Sequence, residues 1–94
     1  MAIFMIEREF AEQLELEPDA LRELHEINDD ERVRWLYSFL SADKRRTFCL
    51  YEADSAEAIH RAAQRAGVPA DLVVEVTHTL TPDGESHSLA ESLG

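Results

Sequence analysis

Three glutamates, Glu7, Glu52 and Glu75, fall inside segments that otherwise read as β-strands. A carboxylate in a half-buried strand either pairs with a cation or has its pKa raised, so such positions suit proton chemistry or cation binding. Period-two counting puts Glu7 with Ile3 and Met5, and Glu75 with Val73 and Thr77. With the first and last strands as neighbours, Glu7 and Glu75 are expected to approach each other on the sheet face away from the helices, over a cavity also lined by Ser38, Cys49 and Tyr51. The ordinary alternative is a set of edge acids paired with Arg8 and Arg34. Cys49 is the single cysteine, which excludes an internal disulfide and a Cys-pair zinc site. It reads either as a small buried core residue or as a soft metal ligand. None of the four histidines stands four residues from another, and no His-Glu-x-x-His motif occurs. His25 and His60 read as solvated helix residues and His87 as a tail residue. His78, at the end of the last strand, is the one placed to serve as a ligand at a cavity mouth. Trp35 and Tyr37 are expected on one strand face, as core, as dimer contact or as a stacking platform. No glycine-rich phosphate loop and no Gly-x-Ser-x-Gly elbow is present.

The elements that must position these residues are legible along the chain. Ala2–Arg8 reads as a strand, followed by a mixed connector over 9–17. Pro18 suits the first turn of a helix, where its missing N–H is not needed, and Ala20, Leu21, Leu24 and Ile27 follow helical spacing. Asn28–Glu31 end that helix. Val33–Leu40 and Arg46–Ala53 read as a hairpin across Ser41-Ala42-Asp43-Lys44. Asp54 is expected to cap a second helix, with Glu57 completing an acidic capping box. Its apolar stripe is Ile59, Ala62, Ala63 and Ala66, with Gly67 at the left-handed C′ position and Pro69 beyond. Asp71–His78 is the last strand. After Leu80 the chain turns polar, predicting a single domain over 1–80 and a loosely held C-terminal tail over 81–94. The order β-α-β-β-α-β is the ferredoxin-like, α+β pattern, a four-stranded antiparallel sheet with both helices on one face.

Composition bounds what such a domain can do. The 94 residues are 45% hydrophobic and 31% charged, with only three glycines and three prolines, which is globular rather than disordered. Twenty acids against nine bases give a net charge of −11, which argues against nucleic acid or anionic lipid as partners. Residues 7–31 hold eleven acids and two bases, whereas 32–46 hold five bases and one acid. No apolar stretch approaches a membrane span, and the N-terminus lacks the pattern of a signal peptide, so a cytoplasmic protein is expected.

The sheet face away from the helices is expected to be too apolar to stay wet. A solvated face should alternate with polar residues, but Val33, Trp35, Tyr37 and Phe39 oppose Leu36 and Leu40, Phe48 and Leu50 oppose Cys49 and Tyr51, and Leu72, Val74 and Val76 oppose Val73, so both faces are apolar. Covering about 400 Å² of apolar area per chain contributes roughly 10 kcal/mol before association costs. A second copy, packed sheet to sheet as a dimeric α/β barrel, is the expected cover. The tail, with Leu80, Leu89, Ala90 and Leu93, is the weaker competitor.

The run Trp35-Leu36-Tyr37-Ser38-Phe39, the segment Thr47-Phe48-Cys49-Leu50-Tyr51-Glu52-Ala53, then Glu57-Ala58-Ile59, Ala66-Gly67-Val68-Pro69 and the pair Glu7-Arg8 resemble the small nickel-binding ferredoxin-fold proteins. That family was long catalogued as a domain of unknown function. The resemblance implies a homodimeric ferredoxin-like fold and, for some members, nickel or another divalent transition metal. The sequence departs from the nickel-binding pattern at Tyr37 and Ala62, where such members often carry histidine. His60 lies two residues before Ala62, on a different side of the helix.

These observations give three readings. The first is a homodimeric binding or sensing protein with an altered or lost metal site. Its cavity is expected to be lined by Glu7, Ser38, Tyr51 and Glu75, with Cys49 and His78 as metal-ligand candidates. The second is a small dimeric-barrel enzyme, monooxygenase-like or isomerase-like, which needs an apolar pocket of about 300 Å³ or more beside an acid or histidine. The third is a dimeric interaction module, marked by glutamates exposed or paired with arginines.

Overall fold

In the computed structural model, which describes residues 1–93, the first strand, β1, spans Ala2–Glu9. Helix α1 (Pro18–Asp30) begins with Pro18 and carries Asp19 in its first turn, where an acid suits the helix dipole. Strands β2 (Arg34–Leu40) and β3 (Arg46–Ala53) form the expected hairpin, with Lys44 left-handed at φ 61°. Helix α2 (Ala56–Ala66) is capped by Ser55, whose hydroxyl accepts from the Ala58 N–H at 3.3 Å. The expected cap, Asp54, therefore stands one residue too early. At its other end Gly67 takes φ 70°, and Val68 N–H bonds the Ala63 carbonyl at 3.1 Å, closing a Schellman motif.

The end of α1 uses the same device without glycine. Arg32 adopts φ 57°, its N–H reaches the Asp29 carbonyl at 3.2 Å, and Val33 N–H reaches the Asn28 carbonyl at 2.9 Å. The hydrogen bonds repay the left-handed backbone that a residue with a Cβ adopts reluctantly. Across the helices, Arg61 and Arg65 clamp Glu31 at 3.0 and 3.1 Å, tying α2 to the end of α1. These guanidinium hydrogen bonds hold the Glu31 carboxyl below its ordinary pKa.

Strand β4 (Leu72–Val76) completes an antiparallel sheet of order β2-β3-β1-β4. Both helices lie on one side of it. Ile27 of α1 and Ala58, Ile59 and Ala62 of α2 form one core with Phe4, Ile6, Cys49 and Tyr51. This is the ferredoxin-like α+β architecture. The last strand is shorter than the sequence suggests. It stops at Val76, and His78 opens a separate hairpin of β5 (His78–Leu80) and β6 (Ser86–Ser88), leading into the short α3 (Leu89–Leu93). Leu89 is buried against Ile3 and Leu50 on the side away from the helices. Part of the segment expected to hang loosely thus covers one end of the open face.

Two details of pairing decide which side chains meet. A register shift between Trp35 and Tyr37 marks a β-bulge at Leu36. Trp35 consequently joins the helix-side core, while Leu36 joins the cluster on the other side. Trp35 and Tyr37 do not share a face, contrary to simple period-two counting. In β4, Glu75 stands opposite Phe4, whereas Leu72 stands opposite Glu7. Directly opposed residues share a face, so Glu75 is on the helix side and Glu7 on the open side.

Candidate functional site

The open face carries an apolar stripe rimmed by ion pairs. Tyr37 and Phe39 pack edge to face at 5.6 Å yet stay 44% and 58% exposed. Across the sheet, Leu72 and Val74 are also exposed. Glu7 is half-buried here and meets Arg46 at 3.6 Å, and Glu52 meets Arg34 at 3.7 Å. The expected partner Arg8 is unavailable to Glu7, because consecutive strand residues point to opposite faces.

The helix side contains the cavity. Residues 10–17 run along its outer wall, strapped to the β2–β3 turn by Phe10 N–H to the Arg45 carbonyl and Leu14 N–H to the Lys44 carbonyl, both 2.7 Å. Arg45 Nη2 adds a bond to the Ala11 carbonyl at 2.8 Å. Between this strap and the sheet lies a space of about 170 Å³, whose polar lining groups are Arg8, Ser38, Thr47, Cys49, Tyr51 and the Trp35 indole. The bulge makes part of this wall, since it lets Trp35 and Ser38 face the same way and Trp35 Nε1 donate to Ser38 Oγ at 2.8 Å. The Trp35 and Tyr51 rings lie nearly parallel, 6.4 Å apart, and the Arg8 guanidinium sits 5.7 Å from the Tyr51 ring centre. Burial pushes the Tyr51 phenol above its ordinary pKa, with the Arg8 charge pulling the other way. Cys49 is a buried free thiol.

The predicted site residues therefore divide. Ser38, Cys49 and Tyr51 come together in the cavity. Glu7 lies across the sheet from them. Glu75 and His78 are exposed and border a separate groove beside Ala2 and Thr77. There His78 Nδ1 is 2.9 Å from Thr77 Oγ1. The expected approach of Glu7 to Glu75 does not occur, because the β1–β4 register sets them on opposite faces. Sequence reasoning did not place Arg8 or Thr47 in the site. The signal available for both was parity with Ile6 and Cys49, once β1 and β3 are known to pair.

The chain matches the model of the nickel responsive protein SCO4226-like family over residues 4–76. The chain belongs to that family. A crystal structure of SCO4226 from Streptomyces coelicolor A3(2) superposes with a TM-score of 0.61 at 30% identity, covering 80% of this chain and 95% of that one. No curated protein matches. The family's name raises the question of nickel, and the residues of one chain do not fit such a centre. Among the described residues, no three of His, Cys, Asp and Glu come close enough to hold an ion. Cys49 has no acid or histidine beside it in the cavity wall. Tyr37 and Ala62, where the resemblance implies histidines, lie on opposite sides of the sheet, Tyr37 exposed and Ala62 in the helix-side core. No helix among the described residues is long and apolar enough to cross a membrane.

Proposed function

We propose that this chain is a cytoplasmic homodimer that binds and senses a small ligand, a member of the nickel-responsive family whose metal site is altered. The observation that carries this reading is the open face, where Tyr37, Phe39, Leu72 and Val74 remain exposed on a sheet whose other side is packed against two helices. Contiguous apolar surface of this kind marks an interface, and a two-fold pairing of like sheets covers both copies at once. The altered metal site is supported by the separation of Cys49 in the cavity, Glu7 on the open face, and Glu75 with His78 at a third groove. In this reading Ser38, Cys49 and Tyr51 serve the ligand cavity rather than an ion. The enzyme alternative draws less support. The apolar helix-side cavity, at about 170 Å³, falls short of the size it needs and no acid or histidine lines it, and the larger groove of about 440 Å³ beside His25 and Asp29 is more polar.

Sedimentation equilibrium at micromolar concentration tests the assembly, with about twice the 10.7 kDa chain mass expected. A lone chain at that concentration overturns the dimer. Calorimetric titration with nickel, zinc and copper tests the second part. Stoichiometric uptake of any of the three at micromolar concentration shows that the metal site is intact and overturns its alteration.

A further inference from the structure

Arg8 is only 6% exposed, and among the described residues no carboxylate lies within ion-pair distance of it. A guanidinium stays charged in any protein, and a buried charge without a counter-ion is costly. Arg8 has partial compensation, donating through Nη1 to the Pro69 carbonyl and lying against the Tyr51 ring. Neither group is an anion. Thr47 is directly opposite Arg8 in the β1–β3 register, so the two side chains stand together on the same face. Its hydroxyl oxygen is buried and has no hydrogen-bond partner. Buried polar atoms are nearly always satisfied, and an exception calls for a partner. Both residues line the cavity, and the rest of its wall is largely apolar, including Leu14, Leu24 and Leu40.

We propose that this cavity binds a small monocarboxylate with an apolar body, its carboxylate on Arg8 and Thr47 and its hydrocarbon among the leucines. A carboxylate matches the guanidinium in charge and shape and accepts from a hydroxyl at the same time. Size limits the body. A cavity of about 150 Å³ accommodates benzene, so 170 Å³ suits a ring or chain of that order. Leu16 and Leu40, half-exposed at the rim, leave a way in from solvent. A metal cation is repelled by Arg8. A multiply charged phosphate meets one cation and an apolar wall, which leaves its remaining charge unpaired. This inference rests on the ligand-cavity part of the proposed function and names the ligand class, while it is independent of the homodimer. The cavity and the open face lie on opposite sides of the sheet, so the carboxylate titration and the sedimentation test fail independently.

Titration of the native chain with sodium hexanoate and sodium benzoate, followed by Trp35 fluorescence and calorimetry, tests the site against hexanamide and benzamide. The acids are expected to saturate and to bind at least about tenfold more tightly than the isosteric amides, which lack the charge. Arg8→Met is expected to bring the acids down to the level of the amides. Thr47→Val, which keeps the volume, is expected to weaken hexanoate about fivefold. Equal binding of acid and amide by the native chain overturns the proposal even where Arg8→Met fails to fold. So does the absence of saturation by either acid up to ~10 mM, or undiminished hexanoate affinity in Thr47→Val.

Discussion

The two faces of one sheet have had different fates. On the helix side Ile6, Ala53 and Ile59 are excluded from solvent almost completely, and even Arg8 is enclosed. On the open side Ile3 and Leu50 are covered by Leu89, while Tyr37 and Phe39 on β2 stay exposed in the single chain. The strands supply apolar residues to both. What differs is the amount of chain available to lie over them. Two helices of 13 and 11 residues cover one face. A five-residue helix reaches only one end of the other. A small domain buries a limited fraction of its surface, and here the shortfall is concentrated on one side. The cavity lies under the helices and the exposed apolar stripe lies on the opposite face, so in the proposed reading ligand binding and association are separated.

The contrast can be broken most severely at the helix-side core. Ile59→Ala is expected to cost about 2–5 kcal/mol in chemical denaturation, and a loss under about 1 kcal/mol would show that this face is not the main core. On the open face, Phe39→Glu is expected to raise the dimer dissociation constant about 100-fold. Circular dichroism of the separated chains should be unchanged. An intact dimer would place the interface elsewhere. Leu89→Ala measures how much the C-terminal segment contributes where it does cover the sheet, with a loss of about 2 kcal/mol expected for a site that is filled but peripheral. The helix ends sharpen the comparison further. Gly67→Ala is expected to destabilise by about 1 kcal/mol, and Arg32→Gly to stabilise by a similar or smaller amount, because both positions are left-handed. Opposite signs in the two melting curves are the check.

The smallest effect concerns the clamp between the helices. The Glu31 carboxyl is held below its ordinary pKa by Arg61 and Arg65. Its contribution to stability is therefore present above the ordinary glutamate range and lost as pH falls through the depressed value. Glu31→Gln should melt slightly earlier than the native chain at neutral pH. The two curves should converge in acid. A difference that persists unchanged at low pH would assign the effect to packing rather than charge.

Much of the fold was legible before any coordinates. Strand β3 and the Gly67 helix end were read at their observed positions, because alternation, helical spacing and a glycine at C′ are local signals. The end of α1 was less visible, since Arg32 occupies a conformation that sequence associates with glycine. The site was legible only in part. Ser38, Cys49 and Tyr51 do line one cavity, but on the helix side rather than on the bare face where it was expected, and Arg8 was assigned to pair an acid on the face it turns away from. Trp35 was joined to Tyr37 because nothing in the run Trp35-Leu36-Tyr37 announces a bulge.

By itself, the amino-acid order determined the succession of elements, the apolar character of both sheet faces and the excess of acid over base. These follow from periodicity and composition, which each segment carries without reference to any other. Only the tertiary structure decided that Glu7 and Glu75 lie on opposite faces, that Arg8 and Thr47 stand side by side, and that Leu89 returns to the sheet. Those outcomes depend on how one strand is aligned with the next. A shift of one residue in that alignment exchanges the faces while leaving every local pattern unchanged.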